Sequence, residues 1–155
     1  MHIGQYDEDR ALLLPLFTLA DDSAAQIATY ISRGEVLVAR DAELVIGHLQ
    51  IVETGDAGVF ELKSMAVTEQ RQREGVGARL VEAALAYCRA RSGRRLIVST
   101  ATADTGNLRF YRRQGFRMSR IVRDVFTPSN GYVEDAVIDG IKLRDQVFLD
   151  LDLEG

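Results

Sequence analysis

A strand that leads through a short polar loop into a glycine-containing helix start is the sequence feature that most limits how this chain can fold. The strand ends at Val67, and Gly75 and Gly77 open a long amphipathic pattern. A helix start presents unpaired backbone N–H groups and the positive end of the helix dipole, which together attract a phosphate. Because the two glycines lack a Cβ, a pyrophosphate could approach the backbone closely. Glycines at a helix start also occur as simple turn residues, so this segment alone leaves both interpretations open.

The same segment excludes two other phosphate-binding motifs. It lacks the Gly-Lys-Ser/Thr ending of a P-loop, and it has two glycines where the dinucleotide fingerprint has three. It also follows a predicted antiparallel meander and not the first strand of a βαβ unit. Arg71 and Arg73 precede the glycines and could add positive charge to an anion site.

The rest of the chain predicts an α/β fold. The first thirty residues are predicted to be helical, with Pro15 breaking or kinking the run and Asp22 or Ser23 capping a second helix that ends at Gly34. Hydrophobic periodicity and turn residues predict strands at 35–39, 44–52, 59–67, 96–98, 116–125 and 146–153, helices at 75–91 and 106–114, and an irregular stretch at 127–143. This order predicts one domain over residues 1–155, a mixed α+β unit with a central, mostly antiparallel sheet and helices on both faces.

Charge and hydropathy exclude several classes of partner. The 155 residues carry a formal net charge of −4, whereas nucleic-acid-binding proteins are usually basic, so no nucleic acid is expected as a partner. No apolar run approaches the ~18 residues that a membrane-spanning helix needs, so no membrane is expected as a partner either. The N-terminus is acidic and polar and lacks the pattern of a secretory signal, which favours a cytoplasmic protein.

The cysteine and histidine residues argue against a metal. Cys88 is the only cysteine, and His2 and His48 lie far apart in the sequence. The chain therefore has no intrachain disulfide and no zinc-ligand spacing, and no metal is expected. Cys88 falls in a helical pattern and is expected to be a small buried residue.

Two motifs together resemble the GNAT superfamily of N-acetyltransferases. The first is Gln72-Arg73-Glu74-Gly75-Val76-Gly77, preceded by Met65-Ala66-Val67, and the second is Tyr111, three further residues, and Gly115-Phe116. Their order and spacing also fit the family, over about residues 35–125. The resemblance implies that acetyl-CoA is the acetyl donor, that the first motif holds its pyrophosphate, and that the backbone of residues 65–67 binds the pantetheine arm. It also implies that the N–H of Val67 stabilises the developing oxyanion.

Two side chains near the second motif receive roles from the resemblance, each with a structural alternative. Tyr111 matches the general acid that protonates the departing thiolate, and its alternative is a core aromatic residue of the helix. The family often places an asparagine seven residues before this tyrosine, where Asp104 stands here, while Asn107 lies four residues before it. Asn107 therefore either binds the cofactor from a shifted loop or caps the helix.

Glu61 is the candidate general base. Two-residue alternation places it on the same strand face as Lys63, Met65 and Val67, where it could take a proton from the amine directly or through a water. The alternative is an ordinary strand glutamate that is paired with Lys63.

The acceptor is predicted to be a primary amine, with a small-molecule amine slightly favoured over a peptide or protein amine. Residues 126–155 are predicted to supply a substrate-side loop and the last strand, and the acidic residues between 123 and 144 could face a cationic amine. A catalytically weak acyl-CoA sensor or partner subunit is the alternative function. The strands after Phe116 offer a sheet edge, so a homodimer is possible.

Overall fold

The computed structural model describes residues 1–154, which form nine strands and four α-helices. The strands are β1 His2–Gln5, β2 Glu35–Asp41, β3 Leu44–Glu53, β4 Val59–Val67, β5 Arg95–Ala101, β6 Arg117–Val122, β7 Val137–Ile138, β8 Ile141–Lys142 and β9 Gln146–Asp152. The helices are α1 Leu14–Ala20, α2 Ala24–Tyr30, α3 Val76–Arg89 and α4 Thr105–Arg113. No helix in the described residues is long and apolar enough to span a bilayer.

Seven of the strands form one sheet in the order β1-β2-β3-β4-β5-β9-β6, while β7 and β8 form a separate hairpin. Every neighbouring pair in the large sheet is antiparallel except β4 and β5, which are parallel. Short turns join β2, β3 and β4, whereas the parallel pair needs the crossover that α3 provides. The predicted mixed and mostly antiparallel sheet is confirmed.

Helices cover both faces of the sheet. Helices α1 and α2 pack over a core that includes Phe17, Ile27 and Val38. Helix α3 packs on the opposite face, over a core that includes Leu80 and Leu96 and extends to α4. The predicted two-sided arrangement is therefore confirmed.

Local capping explains where the first helices begin. Pro15 stands in the first turn of α1, where its missing N–H costs nothing, and Ser23 accepts a hydrogen bond from Gln26 N to cap α2. Pro15 therefore starts a helix, whereas the sequence had predicted that it breaks or kinks one.

Two predictions of secondary structure were wrong. Residues 2–5, predicted to be helical, form β1, because they pair with the exposed edge of β2 in register with Leu37–Arg40. Residues 137–142, predicted to be irregular, form the β7–β8 hairpin. In both places pairing with a neighbouring strand sets a structure that the local pattern does not reveal.

The outer edge of the sheet is exposed. Strand β6 lies at this edge, with Met118 53% and Ile121 54% exposed. An edge strand with apolar side chains of this kind can pair with a second chain. The homodimer stays a prediction.

A bulge in β4 changes which side chains face which helices. Gln50 pairs with Ser64 while the next residue, Ile51, pairs with Leu62, so Lys63 is the extra residue. A bulge shifts the two-residue alternation by one, so the faces exchange beyond it. The prediction that Glu61 and Lys63 share a face with Met65 and Val67 is therefore wrong. Met65 and Val67 pack against the α3 core.

Lys63 and Glu61 stay together on the other face. The Lys63 ammonium lies 4.9 Å from the ring centroid of Tyr30 in α2, and 3.9 Å from a carboxylate oxygen of Glu61. The ion pair with Lys63, which was the alternative to a base role for Glu61, is therefore present.

A buried histidine secures the bulged strand to β3. The Nε2 of His48 lies 2.9 Å from Oγ of Ser64, and the imidazole ring packs 4.4 Å from the ring centroid of Phe17. Burial disfavours the charged imidazolium and lowers the pKa of His48 to about 3. His48 is therefore neutral in the folded protein at any pH near neutrality.

We predict that this histidine weakens the fold at acidic pH. Between the ordinary pKa of 6.5 and about 3, the unfolded chain binds a proton that the folded chain does not. The free energy of unfolding should therefore fall with decreasing pH, by at most about 1.4 kcal/mol per pH unit from this group. Urea unfolding at pH 7 and pH 5 measures this, with His48→Gln as a non-titrating control that can still bond to Ser64. An equal pH dependence of the free energy of unfolding in both proteins would contradict the conclusion that burial keeps His48 neutral.

Candidate active site

A cleft opens where β4 and β5 separate. The two strands pair only between Val59–Leu62 and Arg95–Val98, so the separation begins at the Lys63 bulge. The cleft has a volume of about 410 Å³. Its walls in the sheet are Lys63, Ser64 and Met65 of β4 and Ser99, Thr100 and Ala101 of β5. Asp104, Asn107 and Tyr111 line it from α4 and the preceding loop.

The backbone of β4 turns hydrogen-bonding groups toward this cleft. Thr68 N donates to Ile46 O of β3 at 2.9 Å. Because backbone groups alternate in direction along a strand, the N–H groups of Met65 and Val67 point the other way, toward the gap left by β5. The side chain of Gln72 reaches the same edge, where its Nε2 donates to Val67 O at 3.0 Å.

The start of α3 lies beside this edge. Gly75 is its N-cap, with a left-handed backbone (φ 82°, ψ 9°) and no side-chain capping bond. Arg79 N is bonded to Gly75 O at 3.1 Å, which leaves the first-turn N–H groups of residues 76–78 without an intrahelical partner. A Cβ placed on Gly75 would meet nothing within 4 Å, so the space in front of this helix start is open.

The two glycines of this segment have different local environments. A Cβ on Gly77 would lie 3.3 Å from the ring of Phe110 in α4. Gly77 therefore lets α3 and α4 approach each other, while Gly75 supplies the left-handed turn. Val76, between them, is buried in the core under α3.

Arg71 anchors the loop before the helix. It forms ion pairs with Asp41 at 2.7 Å and with Glu74 at 3.0 Å. These carboxylates raise the pKa of Arg71, and the guanidinium in turn lowers the pKa of Asp41. Arg71 is therefore compensated by two carboxylates. Arg73 is exposed and has a left-handed backbone (φ 69°). It is the other basic side chain of this loop, and these ion pairs do not involve it.

The first turn of α4 excludes one of the two interpretations of Asn107. Asp104 is the N-cap, because its Oδ1 accepts a hydrogen bond from Asn107 N at 3.0 Å. The side chain of Asn107 instead donates to Thr100 Oγ1 at 3.3 Å. The interpretation of Asn107 as the helix cap is therefore wrong, and its side chain lies at the wall of the cleft.

Tyr111 lies at the inner wall of the cleft and belongs to the core as well. It is 5% exposed and packs edge-on against Phe110 and Phe116, at centroid distances of 5.2 and 5.6 Å. Burial, with a smaller contribution from Asp104, raises the pKa of Tyr111 above its usual value of 10.0. The hydroxyl is therefore protonated at neutral pH.

Glu61 is not among the residues that line the cleft. It pairs with Ile97 across the region in which β4 and β5 are still joined, and it approaches the cleft through its ion pair with Lys63. A water or a bound acceptor would have to connect it to the reacting atoms.

A carboxylate at the end of α1, Asp21, also lines the cleft. Asp21 accepts hydrogen bonds from Tyr30 Oη at 2.8 Å, from Tyr132 Oη at 3.0 Å and from Ser23 N at 3.0 Å. Asn130 O also accepts a bond from the side chain of Gln26 at 3.2 Å. Residues 125–132 are therefore fastened across the turn between α1 and α2, and we call this arrangement the Asp21 bridge. Sequence reasoning missed it, because it joins residues 111 positions apart.

The acidic residues between 123 and 144 do not form a wall toward the cleft. Asp124 lies 3.8 Å from Arg144, and Asp135 lies 3.6 Å from Lys142, all with exposed side chains. The residues of this segment that line the cleft are uncharged: Val125, Phe126, Asn130, Tyr132, Ile138 and Leu143. The expectation that these carboxylates face a cationic amine is therefore wrong. Residues 1–154 also contain no cluster of three or more Asp, Glu, His or Cys that could bind a metal.

Comparison with known sequences identifies relatives of the whole chain. A family model described as the acetyltransferase (GNAT) family matches residues 8–116. An uncharacterised N-acetyltransferase of Bacillus subtilis (strain 168), YvbK, is 31% identical over 153 residues, which cover 99% of this chain and 96% of that protein.

Solved structures give the same result. A Bacillus subtilis acetyltransferase in complex with CoA superimposes with a TM-score of 0.89 and 30% identity, over 99% of both chains. A GNAT family acetyltransferase from Elizabethkingia anophelis with acetyl-CoA bound gives a TM-score of 0.88 and 26% identity, over 97% of both chains.

Proposed function

Because the chain belongs to the GNAT family of acetyltransferases and is an acetyl-CoA-dependent N-acetyltransferase, we propose that it acetylates a small-molecule primary amine by direct attack on the thioester. The Asp21 bridge is the observation that carries this choice of acceptor. It fastens residues 125–132, four of which line the cleft, to the turn between α1 and α2, whereas a peptide acceptor needs an open groove along which its chain can lie. A small amine needs no such groove.

The donor end of the cleft suits acetyl-CoA, which supplies the reactive thioester when bound. The loop from Gln72 to Gly75 and the free N–H groups at the start of α3 would hold the pyrophosphate, since Gly75 leaves the approach open. Met65, Ala66 and Val67 would bind the pantetheine arm, which would accept hydrogen bonds from the outward N–H groups of β4 in place of the missing strand.

We predict that Gly75→Asp lowers the affinity for CoA by at least about tenfold, because a carboxylate would stand where the pyrophosphate binds. Gly140→Asp is the matched control. Gly140 also has a left-handed backbone (φ 79°) and an open Cβ position, but it lies in the turn of the β7–β8 hairpin. Calorimetry with CoA should show a loss in the first variant alone. Equal affinity in the two folded variants would refute the pyrophosphate site.

The reacting groups follow from the positions of Val67 and Tyr111. The N–H of Val67 would donate to the thioester oxygen as negative charge develops on it. As the new N–C bond forms and the C–S bond breaks, Tyr111 would pass its hydroxyl proton to the departing sulfur. The amine attacks in its neutral form, and its nitrogen then loses one proton to a base or to water as the amide forms, while Tyr111 regains a proton from solvent.

We predict that Tyr111→Phe lowers kcat by at least about tenfold and changes KM little, because the proton transfer occurs only in the transition state. A general acid must be protonated, and a raised pKa moves its loss to higher pH. The activity of the wild-type enzyme should therefore show no decline from this tyrosine below pH 10. Steady-state kinetics across pH 7–10 test both statements. An unchanged kcat in the variant would remove Tyr111 as the acid.

We also propose that Glu61 is the general base. A water or the acceptor itself would carry the proton from the reacting amine to Glu61. We predict that Glu61→Gln lowers kcat/KM at neutral pH by about tenfold, and that the deficit shrinks as the pH approaches the pKa of the acceptor amine. The acceptor in this assay should carry no charge other than its amine. A deficit that is the same at every pH would argue that Glu61 acts only through its ion pair with Lys63.

A panel of acceptors tests the central choice. We predict that thiol release from acetyl-CoA is stimulated by one or more small primary amines and not by peptides that present the same amine, because the Asp21 bridge fixes residues 125–132 beside the cleft. Preference for peptides would refute the small-molecule acceptor. CoA binding without turnover on any amine would instead favour the acyl-CoA sensor.

A further inference from the structure

Lys63 is the single basic side chain among the described residues that line the cleft. It stands at the β4 bulge, where the sheet opens and the donor end meets the acceptor end. The aromatic rings of Tyr30, Phe126 and Tyr132 line the acceptor side next to it. The other charged side chains that line the cleft, Asp21, Asp22 and Asp104, are acidic, so Lys63 is the group there that attracts an anionic part of a ligand.

Of the three carboxylates that line the cleft, Asp22 is exposed, and the other two are occupied by the protein itself. Asp21 uses both of its oxygens to accept three hydrogen bonds in the Asp21 bridge. Asp104 caps α4 through Asn107 N. These two carboxylates therefore stabilise the fold through hydrogen bonds, which leaves them less available to bind a cationic ligand.

The ammonium of Lys63 is held in place, but its hydrogen-bond donors are not all used. Its attraction to the Tyr30 ring holds it at 4.9 Å from the centroid, and its ion pair with Glu61, at 3.9 Å, is too long for a hydrogen bond. The Lys63 side chain is 31% exposed, so it can reach a ligand. Its N–H donors are therefore available to an anionic group.

We propose that the acceptor is an amine that also carries one carboxylate, as in the amino-acid class, and that Lys63 binds this carboxylate. This inference rests on the proposed function. The Lys63 ammonium can attract a monoanion, whereas a phosphate dianion would meet stronger repulsion from Glu61 and Asp21. The same ammonium also disfavours a protonated acceptor amine nearby, so the neutral form that attacks is favoured.

Matched acceptors test this assignment. Each amino acid is compared with its own amide, for example phenylalanine with phenylalaninamide and 4-aminobutyrate with 4-aminobutyramide, at equal concentrations of neutral amine. The wild-type enzyme should prefer the best acid over its amide by at least about tenfold in kcat/KM. Lys63→Met should abolish this ratio by raising KM for the acid, while Lys63→Arg retains most of it.

The control is Lys142→Met, which removes an exposed lysine of β8 outside the cleft and should keep the wild-type ratio. Thermal stabilisation by the acid in the presence of CoA gives a second readout that needs no turnover, and Lys63→Met should lose it. Amides acetylated as well as acids by the wild-type enzyme would overturn the role of Lys63 and leave the proposed function intact. Failure of every small amine in both readouts would overturn the two together.

Discussion

The separation of β4 from β5 is the constraint on which the rest of the site depends. Backbone N–H and C=O groups inside a protein need partners, and a strand in the middle of a sheet normally finds them on both sides. Beyond Leu62, β4 keeps its partner on one side and loses it on the other. The N–H groups of Met65 and Val67 are left facing a cleft, so an amide-containing ligand arm can complete the sheet there.

The two ends of the cleft differ in the charged groups that they present. The proposed donor end would rely on backbone N–H groups at the start of α3, since Arg71 is compensated by Asp41 and Glu74. The acceptor end has one cation, Lys63, and a carboxylate, Asp21, that is used to hold residues 125–132. In the proposed site, phosphate binding would thus be a property of the backbone, whereas the choice of acceptor would depend on side chains.

Local patterns predicted much of this architecture. The predicted strand 59–67 coincides with β4, and the predicted helix 75–91 contains α3, because strand alternation and helix periodicity are strong there. The Lys63 bulge was missed, since Phe60, Leu62, Ser64 and Ala66 continue a regular two-residue pattern of buried residues across it. No pattern in one segment could predict the Asp21 bridge, which depends on how distant parts of the chain meet.

Backbone amide hydrogen exchange with and without CoA is the most direct test of the account. We expect the amides of Met65 and Val67 and those at the start of α3 to exchange much more slowly when CoA is bound, because each gains a hydrogen-bond acceptor. The amide of Thr68, which already bonds to Ile46 O, should change little and serves as an internal reference. Unchanged exchange at Met65 and Val67 under saturating CoA would contradict the claim that the open edge of β4 binds the donor.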